Sequence, residues 1–191
     1  NIQKFSNGDL TANELIISNG NIGGYVVNIQ NNSIGNLTKN KLTINNGNIS
    51  GNIANIQKTN DGNLTENELI INNKNVNGNV FNILNNNDNI ITGNLIENKL
   101  TINSGNITGD IFNIIKTGNG NLTGNEVIIN GGNIHNNVYT SCTTNENTTI
   151  DSSKVFISKN TNIYGNIYAG ALEKTENGIT TIKSFGDNNK I

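Results

Sequence analysis

Residues 55–64 read NIQKTNDGNL, a stretch that nearly repeats NIQKFSNGDL at residues 1–10. Between them, residues 28–37 read NIQNNSIGNL. The same phrase returns every 27 positions, which predicts that one structural unit of 27 residues is reused along the chain. Because the chain opens partway through a copy of this unit, we expect it to be a fragment of a longer repeat array.

Apolar residues recur in register with the repeat. The steps between the leucines of the recurring phrase are 27, 27, 31, 27 and 28 residues, the last reaching an isoleucine: Leu10, Leu37, Leu64, Leu95, Leu122 and Ile150. Two further columns lie two residues apart within each unit: Leu15, Leu42, Leu69, Leu100, Val127 and Val155, and Ile17, Ile44, Ile71, Ile102, Ile129 and Ile157. A period of two is typical of a strand with one buried face.

The sequence predicts an all-β fold with essentially no helix. No window sustains the i, i+3, i+4, i+7 pattern of an amphipathic helix, and segments of four to six residues are separated by Asn-Gly or Asn-Asn turns. Short strands at a fixed period predict a parallel β-helix, or β-solenoid, of six to seven rungs of about 27 residues. We expect one domain over 1–191, with regular rungs at 1–139, an irregular loop at 140–153 and divergent rungs at 154–191.

Asparagine accounts for 48 of the 191 residues and also falls in columns. Because its side chain both donates and accepts, stacked asparagines are predicted to form hydrogen-bonded ladders along the rod, whereas aspartate lacks the donor. The predicted structural ladder is Asn48, Asn75, Asn106, Asn133 and Asn162. Two more columns are Asn13, Asn40, Asn67, Asn98 and Asn125, and Asn1, Asn28, Asn55, Asn82 and Asn113. A glycine column predicts crowded corners: Gly51, Gly78, Gly109 and Gly165.

Composition excludes several classes of function. The net charge is −2 and the chain has no arginine, so it lacks the basic face that a nucleic-acid-binding protein needs. No apolar run approaches the ~18 residues needed to span a membrane. Cys142 stands alone, and His135 has no histidine, cysteine or aspartate at ligand spacing. We therefore expect no metal site, no cofactor and no partner nucleic acid.

The residues resemble a known class of surface proteins. The units GNLTENELIINNKNVNGNVFNI at 62–83 and NTNIYGNIYAGAL at 160–172 are similar to the passenger regions of bacterial surface β-helix proteins, namely autotransporter adhesins and filamentous-haemagglutinin-like exoproteins. The resemblance lies in Asn/Gly-rich, proline-free, β-branched rungs. It implies a right-handed coil, secretion to the cell surface and a stalk or adhesive role, with anchoring to an outer membrane through regions outside this chain.

A row of aromatic residues is the predicted binding site. The column Val27, Ala54, Phe81, Phe112, Tyr139 and Tyr168 follows a core column by one residue, so strand alternation places it on the outer surface, with Tyr164 close by. Stacked aromatic rings on an exposed face can bind sugar rings or a partner's apolar surface. The alternative is that the rings stack on one another for purely structural reasons.

Two segments depart from the repeat: residues 84–92, where the unit grows by four residues, and residues 140–153. Insertions in solenoids lie on one face and often carry recognition, and the alternative is that they have no role. Asp88, within the first segment, is a weak candidate for binding Ca²⁺ through its oxygens.

The pattern favours a non-catalytic surface stalk or adhesin that attaches to host cells, other bacteria or glycans and can self-associate along the rod. A viral or phage fibre is the main alternative, since it would be physically similar but usually trimeric. An enzyme acting on polysaccharides would need clustered carboxylates, and here the acids are spread along the repeat. Ice binding would need a flat threonine array, and only one threonine column is present.

Overall fold

The computed structural model describes residues 2–72, 74–85 and 92–191, and these residues form 25 strands and no helix. The strands make four sheets, A to D, and the chain visits them in that order in each complete rung. The first rung has only an isolated bridge at Ile22 in place of a sheet D strand, and the last ends in sheet A. The solenoid has about six turns of about 27 residues, which confirms the predicted fold class.

The four sheets differ in strand length. Sheet A contains β1 (Ile2–Lys4), β4 (Val26–Asn31), β8 (Ile53–Lys58), β12 (Val80–Asn85), β16 (Ile111–Lys116), β20 (Val138–Thr143), β24 (Ile167–Glu176) and β25 (Ile179–Ser184). Sheet B contains β2 (Leu10–Thr11), β5 (Leu37–Thr38), β9 (Leu64–Thr65), β13 (Leu95–Ile96), β17 (Asn121–Thr123) and β21 (Thr149–Asp151). Sheet C contains β3 (Glu14–Ile17), β6 (Lys41–Ile44), β10 (Glu68–Ile71), β14 (Lys99–Ile102), β18 (Glu126–Ile129) and β22 (Lys154–Ile157). Sheet D contains β7 (Gly47–Ile49), β11 (Lys74–Val76), β15 (Gly105–Ile107), β19 (Gly132–Ile134) and β23 (Thr161–Ile163).

Like residues lie above like residues. Ile71 pairs with Ile44 below it and with Ile102 above it, in parallel strands. The four-residue insertion between the third and fourth rungs leaves this register intact, because Val80 still pairs with Ile111 on the far side of it. The repeat columns of the sequence are therefore columns of contact in the structure.

The interior contains two apolar columns, not one. Each rung sends four residues to the larger column, as in Ile53, Leu69, Ile71 and Val76. These four are fully buried, whereas the equivalent residues of the first and last rungs are partly exposed. It sends two to the smaller column, as in Ile56 and Leu64. Burial of each such side chain contributes about 1.5–3 kcal/mol, which is how a chain that is 33% hydrophobic supports a core.

A wall of asparagines separates the two columns. Along sheet A, Asn55 lies between Ile53 and Ile56, and both isoleucines face inward because strand alternation breaks at Asn55. The Asn55 side-chain nitrogen crosses the interior and donates to the backbone oxygens of Glu68 at 2.9 Å and Asn40 at 3.2 Å. These bonds hold the extra inward-facing residue in place and satisfy a side chain that is fully buried.

On the opposite wall, the turn from sheet B to sheet C places a second asparagine inside. Glu66 adopts a left-handed conformation (φ 54°), and the following residue, Asn67, is fully buried. The same left-handed position is filled by a non-glycine residue in most rungs: Ala12, Lys39, Glu66, Glu97 and Ser152. The turn therefore costs strain of about 1–2 kcal/mol per rung, which the buried asparagine ladder offsets.

The segment 140–153, predicted as an irregular loop, is largely regular. Residues 140–143 complete β20, and Thr149 and Ile150 pair in register with Asn121 and Leu122. Only the turn between β20 and β21 departs from the repeat. In this rung Thr140 and Ser153 replace the two buried asparagines, and the Ser153 hydroxyl hydrogen-bonds at 2.7 Å to that of Ser141, which takes the place of Ile114.

The last rung of sheet A ends differently from the others. Strand β24 pairs with β20 in parallel and then forms an antiparallel hairpin with β25. Beyond the hairpin, Phe185 packs against the smaller apolar column, and the backbone nitrogen of Asp187 donates to the oxygen of Ile150 at 2.8 Å.

Candidate functional site

The predicted aromatic column forms a continuous stack on the outer side of sheet A. Ring centroids are 5.2 Å apart for Phe81 and Phe112, 4.6 Å for Phe112 and Tyr139, and 5.2 Å for Tyr139 and Tyr168. The ring planes lie within 6° of parallel. The in-register strands enforce this spacing, because each ring belongs to the same position of successive rungs.

The stack is far less exposed than strand alternation predicts. Phe81, Phe112 and Tyr139 are 9%, 8% and 2% exposed. The break in alternation at the buried asparagines gives sheet A a second outward row, Leu84, Ile115 and Cys142, which packs beside the rings. Burial raises the pKa of the Tyr139 phenol well above its ordinary value and that of the Cys142 thiol to about 12. Within the stack, ring faces cover one another and are closed to a ligand.

Tyr164 lies apart from this stack. Its ring stacks on His135, with centroids 5.3 Å apart, and its side chain is 68% exposed. Both residues follow strands of sheet D, one rung apart. Of the aromatic residues predicted to bind, Tyr164 is therefore the most exposed, and it lies on a different side of the rod from the stack, at whose end Tyr168 is half-buried.

The predicted ladder of Asn48, Asn75, Asn106, Asn133 and Asn162 runs along the outside of sheet D, and three of its four steps are joined by a side-chain hydrogen bond. Side-chain nitrogens donate to side-chain oxygens one rung below, at 3.0 Å from Asn75 to Asn48, 2.7 Å from Asn133 to Asn106 and 2.9 Å from Asn162 to Asn133. Each amide keeps further donor and acceptor capacity toward solvent.

Two shallow troughs flank this ladder. One, of about 600 Å³, continues from the asparagines to Thr108, His135 and Tyr164. The other, of about 520 Å³, is lined by Gly47, Gly105 and Gly132, and Lys74 holds the same position in the intervening rung. We call this surface the amide trough. It offers rows of uncharged donors and acceptors with an aromatic pair at one end.

A third concavity opens at the end of the aromatic stack. A groove of about 270 Å³ lies beneath Phe81 and is lined by Tyr25, Val26, Val27, Asn52, Ala54, Gln57, Phe81 and Leu84. Sequence reasoning missed it, although the change from phenylalanine to alanine between Phe81 and Ala54 in one column was the available signal.

A fourth concavity, of about 600 Å³, lies between the turn 144–147 and the β24–β25 hairpin. Lys174 forms an ion pair with Glu146 across it at 2.5 Å. This pair raises the pKa of Lys174 and lowers that of Glu146. Both side chains are in contact with solvent, so the contact is of the kind that adds little to stability.

Two lysines are buried, which the sequence did not predict. Lys58 and Lys116 are both 0% exposed, and the Lys58 amine donates to the backbone oxygen of Ser33 at 3.0 Å. Loss of hydration lowers the pKa of each amine to about 8, against the opposing attraction of Asp61. The two lysines belong to one column of sheet A, with Asn85 between them.

The remaining sequence candidates do not form a centre. Within the described ranges, no group of three or more histidine, cysteine, aspartate or glutamate side chains is placed to hold a metal ion. His135 is occupied in its stack with Tyr164, and Cys142 is buried. Asp88 and most of the candidate loop 84–92 fall outside the described residues.

Comparison with known proteins identifies no relative. The chain matches no protein-family model, and no curated protein or solved structure is similar to it. In the part of the chain that the structure describes, no helix has the length and apolar character needed to cross a membrane.

Proposed function

We propose that this chain is a non-catalytic stalk and adhesin module of a cell surface, which attaches to glycans on host cells or other bacteria. The observation that carries the proposal is the amide trough, a row of asparagine side chains repeated at every rung along the outside of sheet D. The likeness in style to secreted β-helix adhesins supports the surface location.

The chemistry of the trough suits a polysaccharide. Hydroxyl groups of a sugar need partners that both donate and accept, and a primary amide supplies both without a charge. Neighbouring rungs are about 4.8 Å apart, so the trough offers the same contact many times along one line. A polymer that repeats its own hydroxyls can gain affinity from many weak contacts made together.

The disposition of the carboxylates supports a non-catalytic role. Several glutamates are paired with lysines of the neighbouring rung, as in Lys41–Glu68 at 3.1 Å and Lys99–Glu126 at 3.6 Å. Hydrolysis of glycosidic bonds uses two carboxyl groups facing each other across a cleft. The glutamates of the regular rungs, spread along the rod and paired with lysines, suit a solvated surface. Glu146, Glu173 and Glu176 do line one concavity, and there Glu146 is paired with Lys174.

A glycan array probed with the purified chain tests the proposal. The test variant Asn106→Ala/Asn133→Ala removes two amides from the trough. The matched control, Asn103→Ala/Asn130→Ala, removes two amides from another outer ladder in the same rungs, where Asn130 donates to Asn103 at 2.8 Å. We expect binding to fall about tenfold or more in the test variant alone.

Equal losses in both variants, or no binding by the unaltered chain, would overturn the proposal. The oligomeric state gives an independent check by sedimentation. A stable trimer would point instead to the fibre of a virus or phage.

A further inference from the structure

The outer face of sheet C carries two columns of side chains. In each four-residue strand of this sheet the first and third residues face outward, and the second and fourth face the core. The first column alternates acid and base from rung to rung: Glu14, Lys41, Glu68, Lys99, Glu126 and Lys154. The second column alternates isoleucine with threonine and ends in phenylalanine: Ile16, Thr43, Ile70, Thr101, Ile128 and Phe156. We call these two columns together the sheet C face.

The charges of the sheet C face are paired within the chain, except at its two ends. Lys41 forms an ion pair with Glu68 at 3.1 Å, and the next base and acid along the column pair in the same way at 3.6 Å. Glu14 and Lys154 form no ion pair with any described residue. A backbone bridge places Lys190 beside Lys154 and so adds a second base at that end. One end of the face is therefore negative and the other is positive.

A second copy turned end for end matches this face charge for charge. When two antiparallel rods are related by a twofold axis, the first of the six rungs faces the sixth, the second faces the fifth and the third faces the fourth. Because the sign of the charge alternates and the number of rungs is even, every facing pair joins an acid to a base. Glu14 faces Lys154 of the second copy, and Glu68 faces Lys99. Parallel rods about a twofold axis would instead set each charge against its own copy or against the second column.

The second column fits the same arrangement. In the four central rungs an isoleucine faces a threonine, as Ile70 faces Thr101 of the second copy, so that large side chains meet small ones and the two faces can interlock. At each end Ile16 faces Phe156, and these side chains are 53% and 50% exposed in the single chain. They are the most exposed apolar residues of sheet C, so pairing removes from water the apolar surface that the single rod leaves uncovered.

We propose that the sheet C face binds a second copy of this chain and forms a weak antiparallel dimer. Six rungs at ~4.8 Å and four residues at ~3.3 Å give a face of roughly 29 Å by 13 Å, or about 400 Å² from each copy. Stable complexes bury about 800 Å² on each partner, so we expect the dimer to form only at concentrations on the order of 0.1 mM or more. Glu66 and Glu97, in the adjoining turns of the third and fourth rungs, add a like-charge contact at the margin that keeps the pairing weak.

The orientation of the dimer suits attachment between cells. Antiparallel rods point in opposite directions, so rods that project from two facing cells can pair in this way, whereas parallel neighbours on one cell cannot. This use of the dimer rests on the proposed surface location, but the dimer itself does not. The sheet C face shares no residue with the amide trough, so each surface can be altered without the other.

Zero-length carbodiimide cross-linking of the unaltered chain, followed by peptide mapping, tests the orientation. Glu14 and Lys154 lie five rungs apart on one chain, or about 24 Å, so an amide between them can form only between copies. We expect this cross-link and the Lys41–Glu126 cross-link to increase with protein concentration and to decrease at high salt, because salt screens exposed ion pairs. The Lys41–Glu68 cross-link arises within one chain and should not depend on concentration.

A charge swap tests the facing pairs by sedimentation equilibrium. Glu68→Lys sets a lysine against Lys99 of the second copy twice in each dimer and should raise the dissociation constant about tenfold or more. Glu68→Lys/Lys99→Glu restores an acid against a base in this register, whereas a register shifted by two rungs would face like charges, so this variant should recover association. Glu173→Lys makes the same change of charge on sheet A and should associate as the unaltered chain does.

A chain that stays monomeric at about 1 mM would overturn the inference. Unchanged association of Glu68→Lys, or a swap variant that keeps its melting temperature but does not recover association, would do the same. Cross-links between copies that join other pairs of residues would also contradict it. Asn106→Ala/Asn133→Ala should dimerise normally, so a failure of glycan binding and a failure of pairing are separate results.

Discussion

The side-chain nitrogen of Asn67 donates to the side-chain oxygen of Asn98 at 3.0 Å, and both residues are fully buried. The Asn67 oxygen in turn accepts from the backbone and the side-chain nitrogens of Asn40, each at 3.0 Å. Asn67 therefore uses both halves of its amide. A different kind of ladder runs outside, where the Asn63 side-chain oxygen accepts from the backbone nitrogen of Asn94 at 2.9 Å.

The two kinds of ladder predict responses to aspartate that differ in size. We expect Asn67→Asp to lower the free energy of unfolding by about 3–5 kcal/mol, because it removes a buried donor and places a charge in the interior. The control Asn63→Asp keeps the accepting oxygen, as the natural Asp9 does when it accepts from Asn36 at 2.7 Å, and should change stability by less than about 1 kcal/mol. Urea denaturation measures both, and comparable losses would contradict the distinction.

Substitution of Gly78 is predicted to destabilise the fold, because atoms of the rung below crowd the position where a side chain would begin. A methyl group added there would lie 2.5 Å from the Asn52 side-chain oxygen and 2.7 Å from the carbonyl carbon of Gly51. We expect Gly78→Ala to lower the free energy of unfolding by about 2 kcal/mol or more. Gly24→Ala is the matched control from the same column, since a methyl group there meets nothing within 4 Å. Thermal denaturation of the pair should separate them clearly.

The aromatic stack is predicted to stabilise the fold, whereas the exposed ring of Tyr164 is predicted to contribute little. Phe112 contacts a ring on each face, so Phe112→Ala should cost about 3–4 kcal/mol by loss of burial and stacking. Tyr164→Ala removes an exposed ring and should cost less than about 0.5 kcal/mol. Equal effects in urea denaturation would contradict the assignment of the stack to the fold.

The buried lysines predict a stability that rises with pH. Burial lowers the folded-state pKa of Lys58 and Lys116 to about 8, from an ordinary value of 10.5. Between these values the unfolded chain holds more protons, so the free energy of unfolding increases as pH rises from 8 toward 10. After allowance for screening by nearby water, we expect a gain of at least about 1 kcal/mol for each amine.

The measurement needs a background that lacks the buried thiol. Cys142 has a raised pKa of about 12 in the folded chain, so its effect on stability above pH 9 runs in the opposite direction. Tyr139, whose pKa is also raised by burial, acts in the same direction as Cys142 near pH 10. Denaturation in a Cys142→Ala/Tyr139→Phe background should therefore show the rise, and adding Lys58→Met and Lys116→Met should remove it. A profile that is flat, or that falls, between pH 8 and 10 with both lysines present would refute the prediction.

The columns of the sequence predicted the rungs correctly because contact in a solenoid is between equivalent positions. Leu42, Leu69 and Leu100 are spaced by the repeat and lie directly above one another. The same reasoning predicted the outer ladder from Asn48 onward. In a repeat protein of this kind, the residues that contact each other across rungs can therefore be found from their spacing along the chain.

What the sequence could not reveal depends on contacts across the rung. The inward turn of Asn55 relies on the backbone oxygen of Glu68, 13 residues away, and it doubles the number of outward apolar rows on sheet A. Period-two reasoning therefore predicted an exposed stripe where Phe112 and Tyr139 are buried. Lys58 likewise has the sequence character of a surface residue, and only the loop that folds over it encloses its amine.

The stacking of rungs also determines how the rod responds to tension. Every strand runs across the long axis, so the hydrogen bonds between rungs, such as those joining Ile71 to its neighbours, point along that axis. A pull on the two ends loads the outermost rung first and opens the rungs in succession, with no simultaneous shear of many bonds. Each opened rung of 27 residues releases up to about 90 Å of chain, so a solenoid of this kind is expected to lengthen in steps under tension.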